Sequence, residues 1–217
     1  MKDRNCILFD LDGTLSDSGE GIMNSVRYAL GHFGLEADSR VLRTFIGPPL
    51  KDSFRNHFGF NDEQINEAIR IYRQFYDEHG FFQNRLYPGI LELLGDLAQA
   101  GKTLAVATTK AEYYAHKTLE YLGIDRFFPK ELVVGAYLDG TRSNKAEVIA
   151  TVLERLGGGT AEKVMVGDRK FDILGAKANG LDVIAVTYGF GDREEIEAHK
   201  PTVIVDSIDE LRKLLLG

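Results

Sequence analysis

Short apolar runs separated by helix-length amphipathic stretches recur through most of this chain, and that alternation constrains its fold more than any other feature. The runs lie near residues 5–10, 103–108, 131–135, 163–167, 182–187 and 202–205, with helical patterns at about 89–100, 111–122, 144–156, 170–179 and 207–216. Strand–helix alternation of this kind predicts an α/β protein with a doubly wound parallel sheet covered on both faces. Pro88-Gly89 and Gly101 bracket the first of these helices as start and stop signals. Gly157-Gly158-Gly159 ends the 144–156 helix and reads as a flexible connection, since the Gly-Lys-Ser/Thr tail of a P-loop is missing.

Residues 16–84 break the alternation. Ile22, Val26, Leu30 and Phe33 recur at helical spacing, as do Leu50, Phe54 and Phe58, and then Ile65, Ala68, Ile69, Tyr72 and Tyr76. Asp17-Ser18-Gly19-Glu20 and Asn61-Asp62-Glu63-Gln64 both carry the spacing of a capping box. The expected organisation is a sheet-forming core of residues 1–15 and 85–217, with a helical module, 16–84, inserted after the first strand. Such an insertion emerges at the ligand-binding edge and is placed to act as a lid. The alternative is a structural helical subdomain that does not move.

The first apolar run, Cys6-Ile7-Leu8-Phe9, passes directly into Asp10-Leu11-Asp12-Gly13-Thr14-Leu15. Two carboxylates at the end of a buried strand sit where an α/β sheet opens its crevice. Burying them is costly unless a cation or hydrogen bonds compensate. An isolated Asp-x-Asp-Gly is equally at home in a solvated turn. Here three later segments answer it. The run Thr103–Ala107 ends in Thr108-Thr109-Lys110, Lys145 stands near the start of a helical stretch, and Val164-Met165-Val166-Gly167-Asp168 runs into Arg169-Lys170-Phe171-Asp172. A hydroxyl, a lysine and a second acidic pair are equipment for a phosphoryl group and a hard divalent cation. Asp172 follows Asp168 by one helical turn and so can face the same site; an exposed helix-surface partner is the alternative.

These segments closely resemble, in order, the four motifs of the haloacid dehalogenase-like hydrolases: Asp-x-Asp-Gly-Thr, a Ser/Thr closing the second strand, a lysine, and Gly-Asp-x-x-x-Asp. The resemblance covers essentially the whole chain. It is strongest to the phosphoglycolate phosphatase and 5′-nucleotidase branch, on the stretches Gly135-Ala136-Tyr137-Leu138-Asp139-Gly140-Thr141-Arg142 and Val186-Thr187-Tyr188-Gly189-Phe190-Gly191. Thr109 stands where relatives often have Asn, and Ala146 where they often have Pro.

The resemblance implies a Rossmann-like core with a helical cap. It implies a Mg2+-dependent phosphatase acting on a small phosphomonoester, 2-phosphoglycolate or a nucleoside 5′-monophosphate, through an aspartyl-phosphate. Asp10 would be the nucleophile and Asp12 the general acid and base. Mg2+ would be held by Asp10, Asp168 and the backbone carbonyl of Asp12, with Asp172 ligating it directly or through water. Thr108, with the backbone at Thr109, would bind phosphoryl oxygens, and Lys145 would balance transition-state charge. Gly13 and Thr14 would let the chain turn sharply beside the phosphate. Lys110 is a weaker candidate, read as a helix-face residue. Two other readings use the same groups: a sugar phosphomutase, and a phosphate-ester sensor without turnover.

At 217 residues and 44% hydrophobic content, the chain can hold one large domain or a domain plus an inserted module. Its net charge of −7 argues against binding a nucleic-acid polymer. It is compatible with a small phosphorylated metabolite, because a metal and a few lysines reverse the local field. A single cysteine, Cys6, fits a reducing compartment and core packing. His32, His57, His79, His116 and His199 lack ligand spacing for zinc. No signal peptide or membrane span is legible, so the expectation is a cytoplasmic protein; a monomer and a homodimer are both left open. In the cap, Arg43, Gly47, Pro48, Pro49 and Lys51 either read the leaving group or form a rigid connector. Tyr188 and the Gly189–Gly191 turn follow a strand and are placed to line the crevice.

Overall fold

Cys6, Ile7, Leu8 and Phe9 form β1 (Cys6–Phe9) and are buried on both of its faces, as a central parallel strand requires. From β1 the chain passes β2 (Ser16–Asp17) into α1 (Gly19–His32), α2 (Ser39–Arg43), α3 (Leu50–Phe58) and α4 (Asp62–Glu78), and returns through β3 (Arg85–Leu86). It then alternates through α5 (Ile90–Gln99), β4 (Thr103–Ala111), α6 (Glu112–Tyr121), β5 (Val133–Ala136), α7 (Lys145–Arg155) and β6 (Lys163–Gly167). The last elements are α8 (Lys170–Ala178), β7 (Asp182–Val186), α9 (Arg193–Ala198), β8 (Val203–Val205) and α10 (Ile208–Leu216). This computed structural model describes residues 1–139 and 141–217; Gly140, within the 135–142 stretch, lies outside the described residues.

The six core strands are ordered β5-β4-β1-β6-β7-β8 and their described pairings are parallel. The fold is therefore a Rossmann-like doubly wound sheet. Side chains of α5, α6 and α10 pack on one face with Ile7 and Phe9, and those of α7, α8 and α9 on the other with Cys6 and Leu8. Burial pushes the Cys6 thiol up to about 11, against the opposing Lys163 charge, so it behaves as a small core residue. Winding reverses at β1, which pairs with β4 on one side and β6 on the other. Ligand crevices open outside the carboxyl ends of strands at such a switch point.

The chain divides into two compact units, Met1–Ser16 with Leu86–Gly217, and Asp17–Arg85. Within the second unit, α1 buries Ile22, Val26, Ala29 and Leu30, while α4 buries Ile65, Ala68, Ile71, Tyr72 and Tyr76. Ile71 rather than Ile69 completes the α4 stripe. Phe33, Phe45, Phe54, Phe58 and Phe60 form an aromatic cluster with ring centroids 4.8–6.3 Å apart. Asn61 and Gln64 close the expected capping box, with Gln64 N donating to Asn61 Oδ1 at 2.9 Å and Asn61 N to Gln64 Oε1 at 3.0 Å. The box expected at Asp17 does not form. Ser18 is the N-cap and makes no side-chain cap bond, while Asp17 accepts from Gly19 N at 3.3 Å and pairs with Arg85 at 2.9 Å. A long-range cation takes the carboxylate that local spacing assigned to the helix.

Gly157, Gly158 and Gly159 all adopt left-handed φ after α7, and Lys163 Nζ donates to the Gly158 and Gly159 carbonyls at 2.7 and 2.8 Å. The triplet is thus a turn held by a lysine. Among the described residues, no helix is long and apolar enough to cross a membrane.

Candidate active site

The register Phe9↔Val106 and Phe9↔Val166 puts Asp10 just past the end of β1, level with Ala107 within β4 and with Gly167, the last residue of β6. Asp10 N donates to Val166 O at 2.9 Å, extending the ladder by one step. The next residues of the neighbouring strands supply the other groups: Thr108, 1% exposed, from β4, and Asp168, fully buried, after β6.

Lys145, the first residue of α7, joins three elements. Its Nζ lies 2.7 Å from Asp10 Oδ1 and 2.8 Å from Asp172 Oδ1, and donates to Ala107 O at 2.9 Å. Asn144 caps this helix by accepting from Ala146 N at 2.8 Å, which places the lysine at its first turn. The lysine stem passes close to α8, where a Cβ at Gly175 would stand 2.9 Å from Lys145 Cγ. Asp172 is fully buried, so it is not a solvated helix partner, and its Oδ2 accepts from Arg169 N at 3.0 Å.

Asp10, Asp168 and Asp172 each present a carboxylate oxygen, all within 4.8 Å of one another. Asp168 Oδ1 accepts from Thr14 Oγ1 at 3.2 Å, and Oδ2 from Phe190 N at 2.7 Å. No histidine joins this group, the single one of its kind found among the described residues. Gly13 turns the chain at φ +92°, and a Cβ there would stand 2.7 Å from Asp168 Cγ and from Phe190 Cδ2. Only glycine meets both demands.

Burial pushes the Asp10 carboxyl up to about 6, with the Lys145 ammonium opposing and the Asp172 charge adding. Asp168 is raised well above the carboxylate range by burial first, then by Asp172 and Asp10, against the Phe190 amide and Arg169. Burial works against the Lys145 ammonium, but the Asp10 and Asp172 charges outweigh it and hold its pKa above the usual lysine value. With all three ionised, these buried carboxylates would outnumber the one ammonium, an excess of negative charge that a further cation would offset.

Lys110 departs from its expected place. It stands in β4 rather than on a helix, and its Nζ donates to Asp12 Oδ1 and Oδ2 at 3.2 and 3.1 Å, with side chains 8% and 14% exposed. Lys110 N donates to Thr108 Oγ1 at 3.2 Å, so the β4 end curls around its own hydroxyl; Thr109 sits half-buried between them. The Asp12 carboxylate is thereby separate from the three clustered ones. Arg43, Gly47, Pro48, Pro49 and Lys51 belong to the Asp17–Arg85 unit, where Lys51 faces Asp62 at 3.7 Å. Sequence reasoning underrated Lys110 and the 188–191 turn. The signals were present, a lysine two residues after a strand-end threonine and a Gly-x-Gly after a strand, but local spacing gave neither a partner.

Comparison with known proteins gives concordant results. Residues 7–186 match the family model described as haloacid dehalogenase-like hydrolase. A 5′-nucleotidase of Pseudomonas aeruginosa is 42% identical over 210 residues, covering 96% of this chain and 94% of its own. The tyrosine-protein kinase PtkA of Mycobacterium tuberculosis is 43% identical over 212 residues, 96% of this chain and 72% of its own. A crystal structure of a predicted phosphatase from Clostridium acetobutylicum has a TM-score of 0.93 at 42% identity and covers 98% of both chains.

Proposed function

The chain belongs to the haloacid dehalogenase-like hydrolase family, and on that premise we propose that it is a Mg2+-dependent phosphatase of small phosphomonoesters that works through an aspartyl-phosphate on Asp10. The observation that carries this reading is the buried Asp10–Asp168–Asp172 group with Lys145 between two of its members. The donor set fits Mg2+: it is all oxygen, and burial raises Asp10 and Asp168 in the direction that a divalent cation would reverse. Asp10 and Asp168 would hold the ion with the Asp12 backbone carbonyl, and Asp172 would do so directly or through water. When bound, Mg2+ supplies charge neutralisation for the phosphoryl oxygens.

The chain's own residues do the rest. Lys145 keeps Asp10 directed and ionised, so that an Asp10 oxygen attacks phosphorus while the ester oxygen leaves. Lys145 and the Thr108 hydroxyl stabilise the equatorial oxygens. Asp12, held apart from the acidic group, enters the cycle protonated, gives that proton to the leaving oxygen and recovers one from the water that cleaves the aspartyl-phosphate. In the same reading the Asp17–Arg85 unit is a lid that excludes water, and the enzyme is cytoplasmic. The relative named a 5′-nucleotidase favours nucleoside 5′-monophosphates as substrates, with 2-phosphoglycolate the next choice.

Phosphate release from a panel of nucleoside 5′-monophosphates, 2-phosphoglycolate, sugar phosphates and pyrophosphate, with and without Mg2+, tests the proposal. Mg2+-dependent release is expected, led by a nucleoside monophosphate. Conversion of a sugar phosphate that requires a bisphosphate and frees no phosphate would establish the mutase instead. Binding of the esters without turnover would establish the sensor.

A stability measurement bears on the metal independently. The folded-state Asp10 carboxyl stands at about 6, above its ordinary 3.8. Its contribution to folding is therefore fully present below the unfolded value and is lost as pH rises through the folded one. The Tm of metal-free protein is expected to fall between about pH 4 and about pH 6.5 at this site. Saturating Mg2+ restores it, by about 2.7 kcal/mol at a hundredfold excess over Kd. A Tm at neutral pH that Mg2+ does not move would contradict the assignment.

A further inference from the structure

The turn that follows β7, Tyr188-Gly189-Phe190-Gly191, closes on Asp168 from two directions. Phe190 N donates directly to Asp168 Oδ2 at 2.7 Å. On the other side, Tyr188 Oη donates to the Thr14 carbonyl at 3.1 Å, and Thr14 Oγ1 donates to Asp168 Oδ1 at 3.2 Å. The Tyr87 ring meets Tyr188 edge-on, with centroids 5.1 Å apart, which holds the phenol in place. Both glycines of the turn are needed for close approach. A Cβ at Gly189 would stand 2.5 Å from Asp168 Cβ and Oδ2, and one at Gly191 would overlap the Asp168 carbonyl oxygen.

We propose that this turn is the positioning element of the metal site: Tyr188, acting through Thr14, and the Phe190 amide aim the Asp168 carboxylate at the cation position before the cation arrives. The inference rests on the Mg2+ reading above. The terminal torsion of an aspartate is soft, so a free carboxylate samples a broad range of directions. Here each oxygen receives one donor, which fixes that torsion and leaves each oxygen a further lone pair for the ion. Fixing a ligand before binding removes an ordering cost from the binding step. Partners behind a metal ligand typically contribute 10–100-fold in affinity.

Tyr188→Phe removes one hydroxyl and keeps the ring against Tyr87. Isothermal calorimetry with Mg2+ alone, on the full chain, is expected to show Kd weakened by about tenfold, with the metal-free Tm nearly unchanged. Gly189→Ala is expected to weaken Mg2+ further. Should that variant fail to fold, Tyr188→Phe still decides the matter. In an Asp168→Asn background, Tyr188→Phe should change Mg2+ affinity no further, because the residue acts through that carboxylate. A Kd in Tyr188→Phe within about twofold of the parent, beside a parent that binds Mg2+ well, would overturn the inference and leave the phosphatase reading standing. A parent chain that binds no Mg2+ would overturn the metal reading and this inference with it.

Discussion

Asp10→Asn is expected to lower kcat/KM for phosphate release by roughly 10⁴-fold or more, the scale seen when a covalent nucleophile is removed, while the metal-free protein stays as stable or becomes more so. The two halves of that result have one cause. Asp10 is the first residue beyond β1 and lies in the buried acidic group, 2.7 Å from Lys145 Nζ. Its carboxylate is what attacks phosphorus in the proposed mechanism, and an amide of the same shape cannot. Burial and the Asp172 charge both disfavour its ionised form, so a neutral isostere relieves repulsion within the group. Lys145 keeps its contacts to Asp172 and to the Ala107 carbonyl. The measurement pairs initial rates on the best substrate of the panel with thermal unfolding. A residual rate within about tenfold of the parent would remove Asp10 from the nucleophile's role.

Lys145→Met is expected to damage fold and chemistry together. The ammonium is 4% exposed and sits between Asp10 at 9% and Asp172 at 1%. Removing one partner of a buried ion pair costs about 3–5 kcal/mol, because the charge left behind is uncompensated. For a chain of this length that is a fall in Tm of roughly 6–20 °C. Loss of a donor aimed at developing charge adds a decrease of about 10²–10³-fold in kcat. Two controls separate the effects. Excess Mg2+ should recover part of the Tm by neutralising the same carboxylates, and in an Asp10→Asn background the stability cost should shrink, since only Asp172 is then stranded. A Lys145→Met Tm equal to that of the parent would show that the triad is not ionised as described.

The members of the site also differ in how far each can be read along the chain. Asp10 and Asp168 were legible because each directly follows a run of buried strand residues, and a carboxylate placed there is costly without compensation. Asn61 and Gln64 were legible because a capping box is a contact over three residues. Asp17 carried the same local pattern and failed, because Arg85, 68 residues later, takes its carboxylate. The short helices α2 and α9 went unread, having five and six residues and so too few turns to show a period. Lys110 was misplaced for the reason Asp17 was. Its partner, Asp12, lies 98 residues away and is reached only because β4 lies beside β1.

By itself the sequence determined the α/β architecture, the strand ends at which chemistry gathers, and the residue types available there. Those are local quantities, set by the period of apolar residues and by the cost of a carboxylate beside a buried strand. Only the tertiary structure decided the partners. It placed Lys145 between Asp10 and Asp172, gave Lys110 to Asp12, and set the 188–191 turn behind Asp168. Lys110 reaches Asp12 because β4 lies beside β1, and the 188–191 turn reaches Asp168 because β7 lies beside β6; register depends on how the whole sheet buries its faces rather than on any spacing along the chain.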